Sequence, residues 1–282
     1  MVNSLIENDY NLVKVFDQVT IDLKSENESS YEDFCQVHFL DVGQADSELI
    51  ICNDEAALID GGNVADSSFI YSYLEKIGIS ELKYIIASHP HEDHIGGLAG
   101  ALNYAKVTDL VLSPTREYES KAFFNFKKYV EEQNMIITIP EEGNSYDLGK
   151  AKITILSVLK NTSTNNSSIV CRLDFENTSF LFTGDAEYEA EKHLLDIKAN
   201  LKADVLKVGH HGSDTSTMYS FLREIMPKIA VIEVGANNSY GHPSSETIDK
   251  LQQADSQIYR TDINGNIIIT SDGDKLKIES EK

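Results

Sequence analysis

Nothing in the sequence approaches the roughly 20 consecutive apolar residues that a membrane span requires, and residues 1–10 lack the basic-then-apolar order of a signal peptide. These absences predict a soluble chain, cytoplasmic by default; a protein exported and then trimmed of its leader reads the same way. Cysteine is scarce. Cys35, Cys52 and Cys171 lie far apart with no C-x-x-C pair, which excludes a zinc knuckle and leaves three small buried strand residues. Positive charge is scarce too: 24 Lys and Arg face 46 Asp and Glu, a formal net charge of −22. That balance argues against a broad basic surface for a long polyanion, although two bound dications would reverse the sign locally. With 41% hydrophobic residues the 282-residue chain can bury one large core. We expect an N-terminal extension at 1–34 and one catalytic domain at 35–282.

What the sequence does contain is concentrated in Ser88–Leu98, SHPHEDHIGGL, where His89, His91, Asp93 and His94 fall within six residues. His89 and His91 alternate and can aim imidazoles at one divalent metal, while Asp93 and His94 turn toward a second. Neutral imidazole and carboxylate suit zinc first, and manganese or iron as well. With 8 His in the chain, chance supplies such a pattern in about one chain in a thousand. The apolar run Tyr84–Ala87 ahead of it and Gly96-Gly97 behind it place the cluster on a loop between a strand and a helical stretch.

The second half repeats the theme. Thr183-Gly184-Asp185 ends an apolar run in glycine and a carboxylate, and Asp185 can bridge two dications about 3.5–4 Å apart, its alternative role being a cap for a helix over Glu187–Ile197. Asp204–Gly209 leads as a strand into His210-His211-Gly212-Ser213, where one histidine is expected to be a ligand and the spacing leaves open which. The loop GANNSYGHP carries Tyr240 and His242 toward a helix that starts near Ser244. An imidazole there can donate to a non-bridging oxygen or protonate a leaving group, or simply be solvated. In SPTREYES, Arg116 and Tyr118 are groups that contact phosphate or stack on a base. Lys207, Arg116 and Arg260 are the local cations within reach of such a site. His38 and His193 have no partner residues nearby and read as structural or solvated.

Strands are expected at Cys35–Asp41, Glu48–Cys52, Ala57–Ile59, Val107–Leu112, Ile136–Ile139, Ala151–Leu156 and Ile229–Val234, and in the hairpin IVCRLDF and SFLFTGD around Glu176-Asn177. Leu12–Leu23 is a β-like segment of the extension. Helical periodicity runs over Phe69–Ile77, stopped by Gly78, and over Ser120–Gln133. The last two strands, Asn266–Thr270 and Lys275–Glu279, are expected to close a second sheet.

His89–Gly97 resembles the signature of the metallo-β-lactamase superfamily. QVHFLDVGQADSELI, followed by LIDGG, is similar more narrowly to the soluble domain of the DNA-uptake channel proteins of the ComEC type and their stand-alone relatives, over Cys35 to about Glu279. The resemblance implies an α/β fold, a four-layer αββα sandwich of two mixed β-sheets flanked by helices. It also implies a dinuclear centre held by His89, His91, Asp93, His94, Asp185 and His211, with His210 left to the substrate or to the support of a ligand. Asp46 and Asp60 read as turn carboxylates that brace the metal loop. Relatives with β-lactam or thioester chemistry carry a further metal-binding His near NTSTNNSS. Here Asn165, Asn166, Ser167 and Ser168 stand instead, which leaves the first metal short of a ligand.

The expected function is therefore a dinuclear metal-dependent hydrolase, a phosphodiesterase or phosphoesterase acting on nucleic acid, nucleotide or small phosphodiesters through a metal-bound hydroxide. Asp93, His210 and His242 would serve the reaction, and Asn166, Ser167, Lys207, Tyr240 and Arg116 the substrate. Hydrolysis of a lactam, lactone or thioester on the same metals is the alternative, disfavoured by the missing His. A non-catalytic metal-dependent binding module is disfavoured because every metal-binding position of the motif is filled. A redox di-iron centre is disfavoured by His91, where such relatives use glutamate.

Overall fold

The structure is a computed structural model that describes residues 33–282. The β-like reading of Leu12–Leu23, and all of the extension before Asp33, lie outside the described residues. Among the described residues the strands form two sheets.

The first sheet carries β1 (Cys35–Phe39), β2 (Glu48–Cys52), β3 (Glu55–Ile59), β4 (Glu81–Ile86), β5 (Lys106–Leu112) and β6 (Ile137–Thr138), with β14 (Ile267–Ser271) and β15 (Leu276–Ser280) beside β1. Its order is β15-β14-β1-β2-β3-β4-β5-β6. The second sheet runs β13 (Gln257–Arg260), β12 (Ile229–Ile232), β11 (Val205–Lys207), β10 (Thr178–Phe182), β9 (Val170–Phe175), β8 (Ala151–Ser157) and β7 (Ser145–Leu148). Both sheets are mixed: antiparallel hairpins give way to parallel pairing from β3 to β6 and from β10 to β13.

Here the expectation for the last two strands is corrected. They close the first sheet, not the second, because β14 pairs antiparallel with β1 in the register Cys35↔Ser271 to Phe39↔Ile267. The second sheet ends instead on β13, a short strand whose weak apolar alternation gave little signal.

The sheets pack face to face over a core that includes Val37, Phe39, Ile50, Tyr84, Phe175, Phe180 and Phe182. Alternation decides which side each residue takes. Along β1, Val37 and Phe39 point into this core, whereas His38 points out and meets Tyr73 of α1 (Ser67–Ile77), its Nδ1 2.8 Å from the phenol oxygen. That outer layer also holds α2 (Glu92–Ile95), α3 (Leu98–Tyr104) and α4 (Lys121–Glu132). Helix α4 buries Ala122, Phe123, Phe126 and Val130 on one face, and each buried phenyl contributes about 2–3 kcal/mol. It starts where Ser120 accepts a hydrogen bond from the Phe123 amide, and α1 stops at Gly78 in the left-handed conformation the pattern predicts. On the far side, α5 (Tyr188–Asp196), α6 (Tyr219–Ile225) and α7 (Ser245–Gln253) cover a second apolar layer that includes Leu181, Leu194, Leu206, Phe221 and Leu251. The short α8 (Thr261–Asn264) links β13 to β14. Four layers in the order helix, sheet, sheet, helix are the αββα arrangement that the resemblance implied.

All three cysteines are buried in strands, as expected, but two of them are not independent. Cys35 and Cys52 face each other across β1 and β2 and form a disulfide. Sequence spacing hid this, because only the hairpin register makes the two neighbours.

His38 gives the fold a pH dependence of definite sign. Burial lowers its pKa from the ordinary 6.5 to about 4, so the folded state resists a proton that the unfolded chain accepts. Its contribution is present above pH 6.5 and is lost as pH falls toward 4, an effect on the order of 3 kcal/mol. Urea unfolding in chelator at pH 7 and pH 4.5 should therefore show a smaller acid loss for His38→Gln than for the wild type. Equal losses would show that this histidine does not govern acid stability.

Candidate metal centre

The site lies where strands of both sheets end. From the first sheet, β4 runs into Ser88 and the loop that opens α2, so His89, His91, Asp93 and His94 lie at one strand end. From the second sheet, β10 ends in Thr183-Gly184-Asp185 and β11 in the turn Gly209–Gly212. Backbone contact holds the first loop tightly. A Cβ on Gly97 would lie 1.8 Å from the Gly61 carbonyl oxygen, and the Gly61 amide donates to the His94 carbonyl at 2.7 Å, so only glycine fits at Gly97.

Two sets of side chains converge and share Asp185. His89, His91 and Asp185 form one; Asp93, His94, Asp185 and His211 form the other. Within each set the ligand atoms all lie within 4.8 Å of one another. In the second set His94 Nε2 and His211 Nε2 lie 3.4–3.9 Å from oxygens of Asp93 and Asp185. In the first, His89 Nε2 is 2.9 Å from His91 Nδ1 and 3.8 Å from Asp185. A tetrahedral zinc-like ion with ligands at about 2.0–2.1 Å separates them by about 3.3 Å, close to this spacing.

The far nitrogens are already engaged. His89 Nδ1 lies 3.1 Å from the Ser88 hydroxyl, His94 Nδ1 2.8 Å from Asp60, and His211 Nδ1 3.0 Å from the Glu233 carbonyl oxygen. Asp60 also accepts from the Ser88 amide at 2.7 Å and from its hydroxyl at 2.5 Å. By contrast His94 Nε2, His211 Nε2 and Asp185 Oδ1 are buried and have no hydrogen-bond partner among the described residues. Orphaned atoms of this kind, aimed at a common point, fit a bound cation.

The electrostatics agree. Burial presses the His89 imidazole well below its usual range, which favours the neutral form that ligates. For His94, burial is overcome by Asp185, Asp93, Asp60 and Asp46, and its pKa rises well above normal. His211 rises to about 10 because Asp46 and Asp185 outweigh its burial. Carboxylates here outnumber the positive charge the protein supplies, and a dication would answer them.

The structure separates the two adjacent histidines. Both adopt left-handed backbone, φ 50° at His210 and 53° at His211, and they diverge. His211 is buried in the second set; His210 stands at the rim, its Nε2 3.7 Å from Asp185 and its Nδ1 3.2 Å from the Thr215 hydroxyl and 3.3 Å from Glu187. His242 joins it, with ring centroids 5.5 Å apart, and Tyr240, 72% exposed, stacks on His242 at 5.7 Å. Asn238 shapes that loop by accepting from the Tyr240 and His242 amides. Tyr118 reaches the opposite rim, 6.3 Å from the His91 ring.

Four expected substrate contacts are placed elsewhere. Asn166 is buried and its Oδ1 accepts from the Glu187 and Ala190 amides, so it caps the start of α5. Ser167 donates its hydroxyl to the Thr164 carbonyl. The residues of that loop that do reach the site are Ser168, 3.4 Å from His89 Nδ1, and Asn165, 3.5 Å from His210. Arg116 lines a separate groove with Glu117, Lys127 and Ile137. Lys207 is fully buried: Val205 two residues earlier faces the inter-sheet core, and alternation sends Lys207 the same way, onto Asp46.

That cluster went unseen in the sequence. Glu48, two residues before Ile50, and Glu233, two after Val231, also face inward, and with Asp46 their carboxylate oxygens lie within 4.8 Å of one another. Burial, with Asp46 adding to it, pushes Glu48 up to about 8, and burial lifts Glu233 well above the usual carboxylate range. Asp46 stays ionised because Lys207, His211 and His94 outweigh its burial. The signal was available as a charge in period two with inward apolar residues, at the start of β2, at the end of β11 and just after β12.

The sequence profile of the metallo-β-lactamase superfamily matches residues 40–235, which contain both ligand sets. The chain belongs to this superfamily, whose fold is that of metal-dependent hydrolases and binds divalent metals, here with His and Asp clusters in place. Within it, the chain is similar to competence proteins. It is 32% identical over 252 residues to ComE operon protein 3 of Bacillus subtilis, covering 82% of this chain and 32% of that protein. It is 30% identical over 253 residues to Recombination protein 2 of Haemophilus influenzae, covering 88% and 30%. Competence protein ComA of Neisseria gonorrhoeae is 28% identical over 227 residues, covering 80% and 30%. The chain thus spans about a third of the length of these relatives. Among solved structures, YhfI from Bacillus subtilis superposes with a TM-score of 0.58 at 15% identity, over 85% of this chain and 100% of that one. CmlA, a diiron β-hydroxylase from Streptomyces venezuelae, gives 0.53 at 13%, over 83% and 53%. These two show a shared fold. Among the described residues no helix is long and apolar enough to cross a membrane.

Elemental analysis of protein purified without chelator should find two divalent ions per chain. His211→Ala should retain one and His210→Ala both; equal loss in the two variants would overturn this division of roles.

Proposed function

We propose that the protein is a dinuclear metal-dependent phosphodiesterase, with His89, His91 and Asp185 holding one ion and Asp93, His94, Asp185 and His211 the other. The ions, when bound, supply Lewis acidity and a nucleophile from water near neutral pH. Zinc suits the donor set, and manganese and iron accept it too.

The observation that carries the reading is the pair of imidazoles at the rim. His210 and His242 stand side by side above the shared Asp185, the first oriented by Thr215, Glu187 and Asn165 and the second by Gln44. Two donors converging on one mouth suit a phosphoryl group, whose several oxygens gain charge together in the transition state. His210 donates to a non-bridging oxygen, and His242, whose pKa is lowered by burial and by the neighbouring His210 and His211, is placed to pass a proton to the leaving oxygen. Ser168, at the edge of the first set, offers a weaker donor than the histidine of lactam-cleaving relatives, which supports phosphoester over lactam chemistry.

The substrate follows from the rim and the surface. Exposed Tyr240 and Tyr118 flank the mouth and can stack on a base. Two relatives are named for competence and recombination, processes that handle DNA, which supports a nucleic-acid phosphodiester. The net charge of −22, with Lys207 internal and Arg116 in another groove, favours short oligonucleotides or small phosphodiesters over long duplex.

Turnover of a chromogenic phosphodiester, a short oligonucleotide, plasmid DNA and a chromogenic cephalosporin should be compared at fixed metal and two salt concentrations. The first two should be cleaved fastest, and His210→Ala should lower kcat by about 10²-fold with both metals retained. Faster cephalosporin turnover, or plasmid degradation indifferent to salt, would falsify the proposal.

A further inference from the structure

The two metal positions are not supported in the same way, and the difference centres on Lys207. Its ammonium is fully buried at the end of β11 in the second sheet and pairs with Asp46, which precedes β2 in the first sheet. This ion pair therefore crosses from one sheet to the other. Asp46 then touches each element of the second ligand set that comes from outside β10. Its Oδ1 is 3.1 Å from His211 Nδ1, its Oδ2 is 3.7 Å from His94 Nδ1, and its amide donates to the Asp93 carbonyl at 3.2 Å. Lys207 reaches the remaining ligand through its own backbone, since its carbonyl accepts from the Thr183 hydroxyl at 2.9 Å, two residues before Asp185. His89 is held by Ser88 and Ser168 instead.

We infer that Lys207 is the positioning residue of the second metal position, acting through Asp46 to bring Asp93 and His94 of one sheet into register with His211 of the other. The first position, whose histidines both come from one loop, does not need the bolt. The inference rests on reading Asp93, His94, Asp185 and His211 as a metal set, and it removes Lys207 from the substrate. It also fixes a sign. Deleting a buried positive charge near a cation site would, by Coulomb's law alone, tighten dication binding. A positioning role predicts the reverse, a loss of about tenfold or more, in line with the effect of removing the partners that orient metal ligands.

The test is a Co²⁺ titration followed by absorption spectroscopy. His91→Ala and His211→Ala serve as references, since each belongs to only one set. Lys207→Met keeps the length of the side chain and removes the ammonium. Its second equivalent of Co²⁺ should bind at least tenfold more weakly than in the wild type, its first within about threefold, and its spectrum with one equivalent should match His211→Ala and not His91→Ala. Asp46→Asn, which removes the charge that Lys207 pairs with at nearly unchanged side-chain size, should show the same selective loss and provides the measurement if Lys207→Met fails to fold. Equal weakening of both equivalents, or unchanged or tighter binding of the second, overturns the inference. Failure of the underlying metal reading looks different, because His211→Ala would then leave the titration unchanged. The readout is independent of the substrate, so an inactive phosphodiesterase assay does not bear on it.

Discussion

Asp46, Asp60, Asp93 and Asp185 all act on the imidazole of His94, and they do so at the seam between two apolar sheets. Burying that much negative charge is costly unless each carboxylate finds a donor or a cation. The arrangement of the site end follows from this demand. Asp60 takes its donors from Ser88 and His94, Asp46 takes the Lys207 ammonium, and Glu48 and Glu233 are pushed by burial toward their neutral forms. Asp93 and Asp185 face the remaining space, where the orphaned nitrogens of His94 and His211 also point. The fold thus settles most of its internal charge with its own groups and leaves a deficit of positive charge at one place.

The surface carries charge of the same sign with a different effect. Exposed carboxylates interact through water, where a pair of charges at 4 Å is worth about 1 kcal/mol and salt screens it further. They do not shape the site; they limit what approaches it. A net charge of −22 opposes a long polyanion, while the rim with Tyr118, Tyr240, His210 and His242 presents rings and donors. Selection by size can come from such a field with no wall built to exclude the larger substrate.

Much of this was legible in the sequence, and the pattern of what was not has a physical cause. His89, His91, Asp93 and His94 of the candidate sets are neighbours in the chain, so their spacing alone drew attention to them, and the αββα layering followed from the superfamily resemblance. Asp185 stood out because it follows an apolar strand that ends in a turn, whereas the choice of His211 over His210 came from the superfamily resemblance and not from spacing. Asn166 and Lys207 were read as substrate contacts because their true partners are long-range ones that the sequence does not display. Asn166 meets amide groups about twenty residues away, and Lys207 meets Asp46 across 161 residues. The disulfide between Cys35 and Cys52 and the placing of β14 beside β1 were hidden for the same reason, since register is a property of pairs of strands and not of either one.

The helix cap supplied by Asn166 bears on how this site can change over evolutionary time. The loop from Ser163 to Ser168 borders the first ligand set, so it is the natural entry point for a third imidazole, yet at Asn166 the side chain is committed to the Glu187 and Ala190 amides at the start of α5 and to the Ser163 hydroxyl. A histidine there would forfeit the cap, at about 1 kcal/mol or more, before gaining any new chemistry. Ser168 carries no such duty to a helix, but its hydroxyl accepts the Asp185 amide and lies near His89. A histidine at Ser168 would instead disturb Asp185, the carboxylate that both candidate sets share.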